Sequence, residues 1–209
     1  RLQHVRDSAR SALVAMAAAL GPAYLPFALS VLGSALPPKG VYGHVAAYTT
    51  HAMLAALVAD GGKGKDKEEE ARAGGGGEGG GDGGPEAPSP TITTSPPPYP
   101  PGALDSALDR ALPIIERDWF GEGADEKEAA GFATGVREAR RATAPAAVEL
   151  LAAGVDFRAR FAAVLEPALV RAPAALGSTR LASRVTAWLD AAARGAGANS
   201  SASPTDRLA

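Results

Sequence analysis

The sequence contains no cysteine, and this removes disulfides, thiolate nucleophiles and cysteine-ligated zinc together. Aromatic residues are scarce at 5%, although hydrophobic residues reach 46%, so much of the apolar content is alanine, which buries little area per residue. No uncharged apolar run reaches the roughly 18 residues of a membrane span. The nearest stretch, 12–36, is interrupted by Gly21-Pro22 and Pro26. Alternating β-branched segments are also missing, and the short Thr91 to Thr94 run sits among prolines, where a central strand is not formed. No glycine-rich stretch ends in the lysine-serine/threonine pair of a phosphate loop. Gly74 to Gly84 is low complexity instead.

What is present is helical periodicity. Leu2, Val5, Ala9, Leu13, Met16 and Leu20 recur at three- and four-residue steps and predict one apolar face of a first helix. Gly21-Pro22 ends it, because glycine accepts the left-handed cap and proline does not continue the hydrogen-bond ladder. A second helix is predicted from Pro22 to Leu36 with Leu25, Leu29, Leu32 and Leu36 inward, and a third from Val41 to Val58 with Val45, Tyr48, Met53, Leu54 and Leu57 inward. Short turns between them imply antiparallel neighbours.

The pattern resumes at Ala103, where Leu104, Leu108, Leu112, Ile115 and Trp119 form a stripe containing Pro113. Further helices are expected at 125–141, 145–154, 157–169 and 176–193. The last two carry Phe157, Phe161, Val164, Leu165 and Leu169, then Leu181, Val185, Trp188 and Leu189, as their inward faces. Between the two helical blocks lies a charged run, Lys63 to Glu70, followed by glycine and then proline. Low hydrophobicity there does not offset the entropy of ordering, so 60–102 is predicted to be a disordered insertion. The expected organisation is a helical repeat segment 1–59, the insertion 60–102, a second repeat segment 103–195 and a frayed tail 196–209. Thin alanine-rich stripes must be pooled by stacking, which makes the expected fold class all-α: HEAT-like antiparallel repeats forming an α-solenoid segment. Arg1 opens the chain inside helical pattern, and this predicts a fragment of a longer protein.

Near-neutral net charge, −2, conceals blocks of alternating sign. Residues 1–59 carry four basic and one acidic side chain, and 60–102 carry four and eight. Residues 103–130 carry three and eight, while 131–195 carry nine and five. The basic block contains the candidate contacts to RNA or an acidic partner: Arg137, Arg140, Arg141, Arg158, Arg160, Arg171, Arg180 and Arg184. Guanidinium forks pair with phosphates through two parallel hydrogen bonds. Solvated helix faces carry the same residues, so both readings stand at this point. The carboxylates Glu116, Asp118, Glu122, Asp125, Glu126 and Glu128 are accounted for by helix ends, with no nucleophile or histidine base beside them. His44 and His51 share a helix face but lie about 10.5 Å apart along it, too far for one metal. They are expected to pack at a seam between helices or to hydrogen-bond a neighbouring turn. No catalytic, cofactor or metal site is predicted.

Two stretches carry a family resemblance. The first runs from Ala9 to Leu57 and includes Leu20-Gly21-Pro22-Ala23-Tyr24-Leu25-Pro26-Phe27, Leu32-Gly33-Ser34-Ala35-Leu36, His44-Val45 and Tyr48-Thr49-Thr50-His51. The second starts at Leu104 and includes Asp118-Trp119-Phe120-Gly121, Glu126-Lys127-Glu128, Val136-Arg137-Glu138 and Glu149-Leu150-Leu151. In order and spacing these resemble the small-subunit processome component 20 family, the down-regulated-in-metastasis proteins, which are very large HEAT-repeat proteins. Departures are Trp119, where the family has a smaller aliphatic residue, Val41-Tyr42-Gly43, and the 143–146 segment. The resemblance implies a non-enzymatic nucleolar scaffold, associated with small nucleolar ribonucleoprotein, that supports assembly of the small-subunit precursor and maturation of its rRNA. The partners it implies are pre-ribosomal particle proteins and pre-rRNA or small nucleolar RNA, with no membrane and no small-molecule substrate. From the helices alone, a protein-binding HEAT or armadillo-type adaptor and a helical enzyme domain remain alternatives.

Overall fold

The computed structural model describes residues 2–37, 41–70, 99–121, 143–203 and 205–206, with side chains for all of these but 2, 41 and 59–70. Every regular element among the described residues is a helix, in keeping with an α-solenoid. In chain order they are α1 (Leu2–Leu20), a 3-10 turn (Pro22–Tyr24), α2 (Leu25–Ala35), α3 (Val41–Glu70), α4 (Asp105–Phe120), α5 (Thr143–Gly154), α6 (Phe157–Ala175) and α7 (Thr179–Ala198). The helix expected at 125–141 and most of the insertion lie outside the described residues. α3 continues past Val58 through the lysine- and glutamate-rich run, whose residues have high intrinsic helix propensity.

Helix ends follow the local chemistry. Gly21 adopts φ 75° and its N–H donates to Ala17 O at 2.9 Å, after which Pro22 opens the 3-10 turn. Gly102 also takes a positive φ, 80°, in the turn before α4. α6 and α7 start on capping side chains: Asp156 accepts from Ala159 N–H and Ser178 from Leu181 N–H. Pro113 is exposed inside α4 and the helix runs through it.

One core joins both helical blocks. Leu25, Leu29, Met53, Leu54 and Leu57 from before the insertion share it with Leu108, Ile115, Val148, Leu151 and Trp188 from after it. α3 lies at the centre against α1, α4 and α5, and α5 packs in turn on α7. That last seam is very tight. A Cβ on Gly195 would come within 2.3 Å of Glu149 O and 2.5 Å of Ala152 Cβ, so the backbones approach only because residue 195 has no side chain. Gly154 admits the Leu104 side chain in the same way.

Expectations change at α1, at α6 and in the tail. On α1, Val5, Met16 and Leu20 are exposed, and the covered side is Gln3, Arg6, Asp7, Arg10, Leu13, Val14 and Ala17. Polar contacts hold that side: Arg10 Nη1 donates to Asp7 Oδ1 at 2.7 Å and its guanidinium lies 4.5 Å over the Tyr48 ring of α3. On α6, Leu169 is exposed and the buried positions are Val164, Pro167 and Ala168, where the Val164 carbonyl accepts the Trp188 indole N–H at 2.8 Å. Third, 196–203 is not frayed. α7 runs to Ala198, and buried Asn199 donates from Nδ2 to Ala152 O at 2.7 Å and Val155 O at 2.8 Å. Ser201 Oγ accepts from Phe157 N–H at 2.8 Å. These side chains satisfy carbonyl and N–H groups that helix ends leave open.

Candidate interaction surface

The innermost polar contact is a pair. His44 of α3 and Asp118 of α4 are both buried, and His44 Nδ1 donates to Asp118 Oδ1 at 2.6 Å. Asp118 is thus not a solvated helix-end carboxylate, as its sequence position suggests. It lies one turn after Ile115, on the inward face of α4. The histidine is at a helix seam, one of the two placements expected for it.

Of the eight arginines predicted as contacts, Arg137, Arg140 and Arg141 lie outside the described residues. Arg158, Arg160 and Arg171 project from α6 and each meets a carboxylate. Arg158 is 75% exposed and its Nη2 lies 3.3 Å from Asp206 Oδ1. Arg160 pairs with Asp109 of α4. Arg171 Nη2 donates to Glu116 Oε1 at 2.8 Å while its guanidinium lies 4.7 Å over Phe120. Arg180 is exposed and Arg184 half-buried on α7, where the Arg184 carbonyl accepts Trp119 Nε1–H at 3.0 Å. A ninth arginine, Arg194, joins α7 to Glu149 of α5.

These cations are spread over several seams, and most bridge neighbouring elements. Ion pairs this exposed contribute about 0–1 kcal/mol. Beside Arg171, exposed Arg117 helps to line a shallow pocket of about 270 Å³ with Pro113, Glu116 and Gly121.

At the other end of α6 lies a groove of about 460 Å³ between α6 and α7, lined by Phe157, Phe161, Leu165, Leu189, Ala193 and Gly197 among others. The two phenylalanine rings stack at 4.6 Å and 18°. Phe161, Leu165 and Leu189 pack against the core as their apolar spacing predicts, and the same residues line a groove that the spacing does not reveal. The available signal was the spacing Phe157-Arg158-Ala159-Arg160-Phe161, which pairs two aromatics one turn apart with two cations. Asp206 also lines the groove. Ser203 donates to it from its hydroxyl at 2.7 Å and from its backbone N–H at 3.0 Å. These hydrogen bonds, side chain first, and then Arg158, hold the Asp206 carboxyl below its ordinary range. Among the described residues, no three histidine or carboxylate side chains converge as metal ligands would.

Comparison with known proteins gives one positive finding. A family model described as the U3 small nucleolar RNA-associated protein 20 domain matches residues 1–209. No curated protein matches the chain.

Proposed function

The chain belongs to the U3 small nucleolar RNA-associated protein 20 domain family, whose members act in small-subunit ribosome biogenesis, and from that membership we propose that it is a non-enzymatic scaffold segment of the small-subunit processome. In this reading it works in the nucleolus as a HEAT-like helical segment, holding pre-ribosomal proteins and pre-rRNA by shape and surface contacts. The observation that carries the proposal is the match across 1–209. The chemistry of the fold supports it, since His44, Asp118 and Asn199 are occupied in joining helices. Arginines reach the surface from α6 and α7.

The test is sedimentation of the tagged protein with pre-ribosomal particles, combined with RNA crosslinking. Replacing Arg137, Arg140 and Arg141 together by glutamine is expected to weaken association and leave helicity unchanged. If those arginines meet RNA, the slope of log affinity against log salt becomes shallower by about 0.7 for each lost contact to a single strand. Unchanged sedimentation and crosslinking would instead favour a scaffold that binds protein alone. Absence of the wild-type protein from these particles would remove the proposal altogether.

A further inference from the structure

We propose that the groove between α6 and α7 receives an unpaired RNA base on the Phe157–Phe161 stack, with the flanking phosphate held by Arg158. The inference rests on the scaffold reading above and assigns it one contact. A helix turns about 100° per residue, so Phe157 and Phe161 form one stripe while Arg158 and Arg160 flank it on opposite sides. The ion pairs agree: Arg158 reaches Asp206 and Arg160 reaches Asp109 of α4. Two stacked rings with cations on both flanks match the combination used for single strands, in which aromatic faces take the bases and basic side chains track the backbone.

The groove itself selects for a base rather than a phosphate. Its volume, about 460 Å³, lies within the roughly 300–1,000 Å³ of pockets that enclose small ligands. The lining named above is apolar, and Asp206 is the charged member of the wall. A carboxylate disfavours an anion inside, and a neutral heterocycle meets no such repulsion. Arg158 is mostly exposed and its contact with Asp206 is long, so the pairing that a phosphate must displace is weak, while repulsion from the Asp206 carboxylate keeps that phosphate on the solvent side of the guanidinium, outside the groove. A duplex, whose bases are already paired and stacked, presents no base to the groove.

The test uses the full 209-residue chain and a fluorescent oligoadenylate of about ten nucleotides, within the usual site sizes. The Phe157→Leu/Phe161→Leu variant keeps the helix apolar and removes both π faces. It is expected to bind about 5- to 100-fold more weakly, as loss of a base–aromatic stack does, with its salt slope unchanged. Arg158→Gln is expected to make the slope shallower by about 0.7. Ultraviolet crosslinking of bound oligoadenylate to the wild-type protein, mapped by mass spectrometry, should mark the peptide containing Phe157 and Phe161, a readout independent of how the variants fold. Equal binding by the leucine variant, or crosslinks confined to other peptides, would overturn the inference. So would loss of particle proteins rather than RNA from the variant, which would make the groove a protein-docking site. In each of these cases sedimentation of the wild-type chain with the particle would still stand, so failure of the groove is distinguishable from failure of the scaffold reading.

Discussion

His44 Nδ1 and Asp118 Oδ1 meet at 2.6 Å although 74 positions separate them in the chain, and neither residue is accessible to solvent. The contact ties α3, before the insertion, to α4, after it. Removing one member of a buried pair leaves the other desolvated without compensation, which typically costs about 3–5 kcal/mol. Asp118→Ala and His44→Ala should therefore each lower stability by that order in urea denaturation. The double variant should be less destabilised than the sum of the two, because the lost partner is shared. Additive effects would show that the two side chains do not depend on each other.

A second prediction concerns two glycines of α7, two residues apart. Gly195 has Glu149 O and Ala152 Cβ inside the space a methyl group would fill, whereas nothing lies within 4 Å of a Cβ on Gly197. Gly195→Ala must push α5 and α7 apart and should cost about 1–3 kcal/mol, the usual effect of overpacking. Gly197→Ala, with higher helix propensity and free space, should be neutral or stabilising by up to about 1 kcal/mol. Thermal melts of the two variants provide the comparison, and equal melting temperatures would contradict the close approach.

A third prediction follows from Asn199, whose amide donates to two carbonyls at the end of α5. Asn199→Ala leaves both acceptors buried without that donor and should destabilise by about 1–3 kcal/mol. Faster amide exchange at Phe157, whose N–H depends on neighbouring Ser201, should accompany it. Unchanged exchange there would separate the tail from the α5–α6 turn.

Periodicity made α2 and α4 legible, because Leu25, Leu29 and Leu32, and Leu108 and Ile115, are large apolar residues at helical spacing and are buried. It misplaced the face of α1, where Gln3, Arg6, Asp7 and Arg10 make the covered side by bonding among themselves and onto Tyr48. Apolar spacing carries no record of polar groups that satisfy one another. Composition misjudged 196–203 for a related reason: glycine, asparagine and serine signal a loose tail, yet here they supply the close approach and the donors that helix ends require. The groove was hidden because Phe157 and Phe161 carry the helical spacing of core residues, and only the packing of α7 beside α6 decides which of them are covered.

The turn at Ser203 to Asp206 gives a pH prediction. Hydrogen bonds from Ser203 hold the Asp206 carboxyl below its ordinary value of 3.8. A carboxyl whose pKa is lowered in the folded state binds protons less readily there than in the unfolded chain. Its stabilising contribution is therefore complete above the ordinary range and is lost as pH falls through the lowered value. The backbone amide resonance of Ser203 should titrate below pH 3.8 and remain flat at neutral pH. Ser203→Ala should move the Asp206 titration upward. A Ser203 amide that shifts above the ordinary carboxylate range would disprove the assignment of these bonds.

Limited proteolysis tests how the halves of the chain are held together. Residues 74–98 are dominated by glycine and proline and offer almost no side chain for burial, so a protease of broad specificity is expected to cleave there first. The expected products are one piece carrying α1 to α3 and another carrying α4 to α7. Cutting does not by itself separate them, because the core is shared across the insertion: α3 packs on α4 and α5, α2 packs on α4, and the His44–Asp118 pair is buried in that seam. The nicked protein should therefore elute as a single species from gel filtration under native conditions and resolve into two bands only under denaturation. The same digestion of the Asp118→Ala variant should release free pieces at a lower urea concentration than wild type, since the seam has lost its buried pair. Two separate peaks from the nicked wild-type protein without denaturant would mean that the blocks fold as independent units and that the shared core does not hold them together.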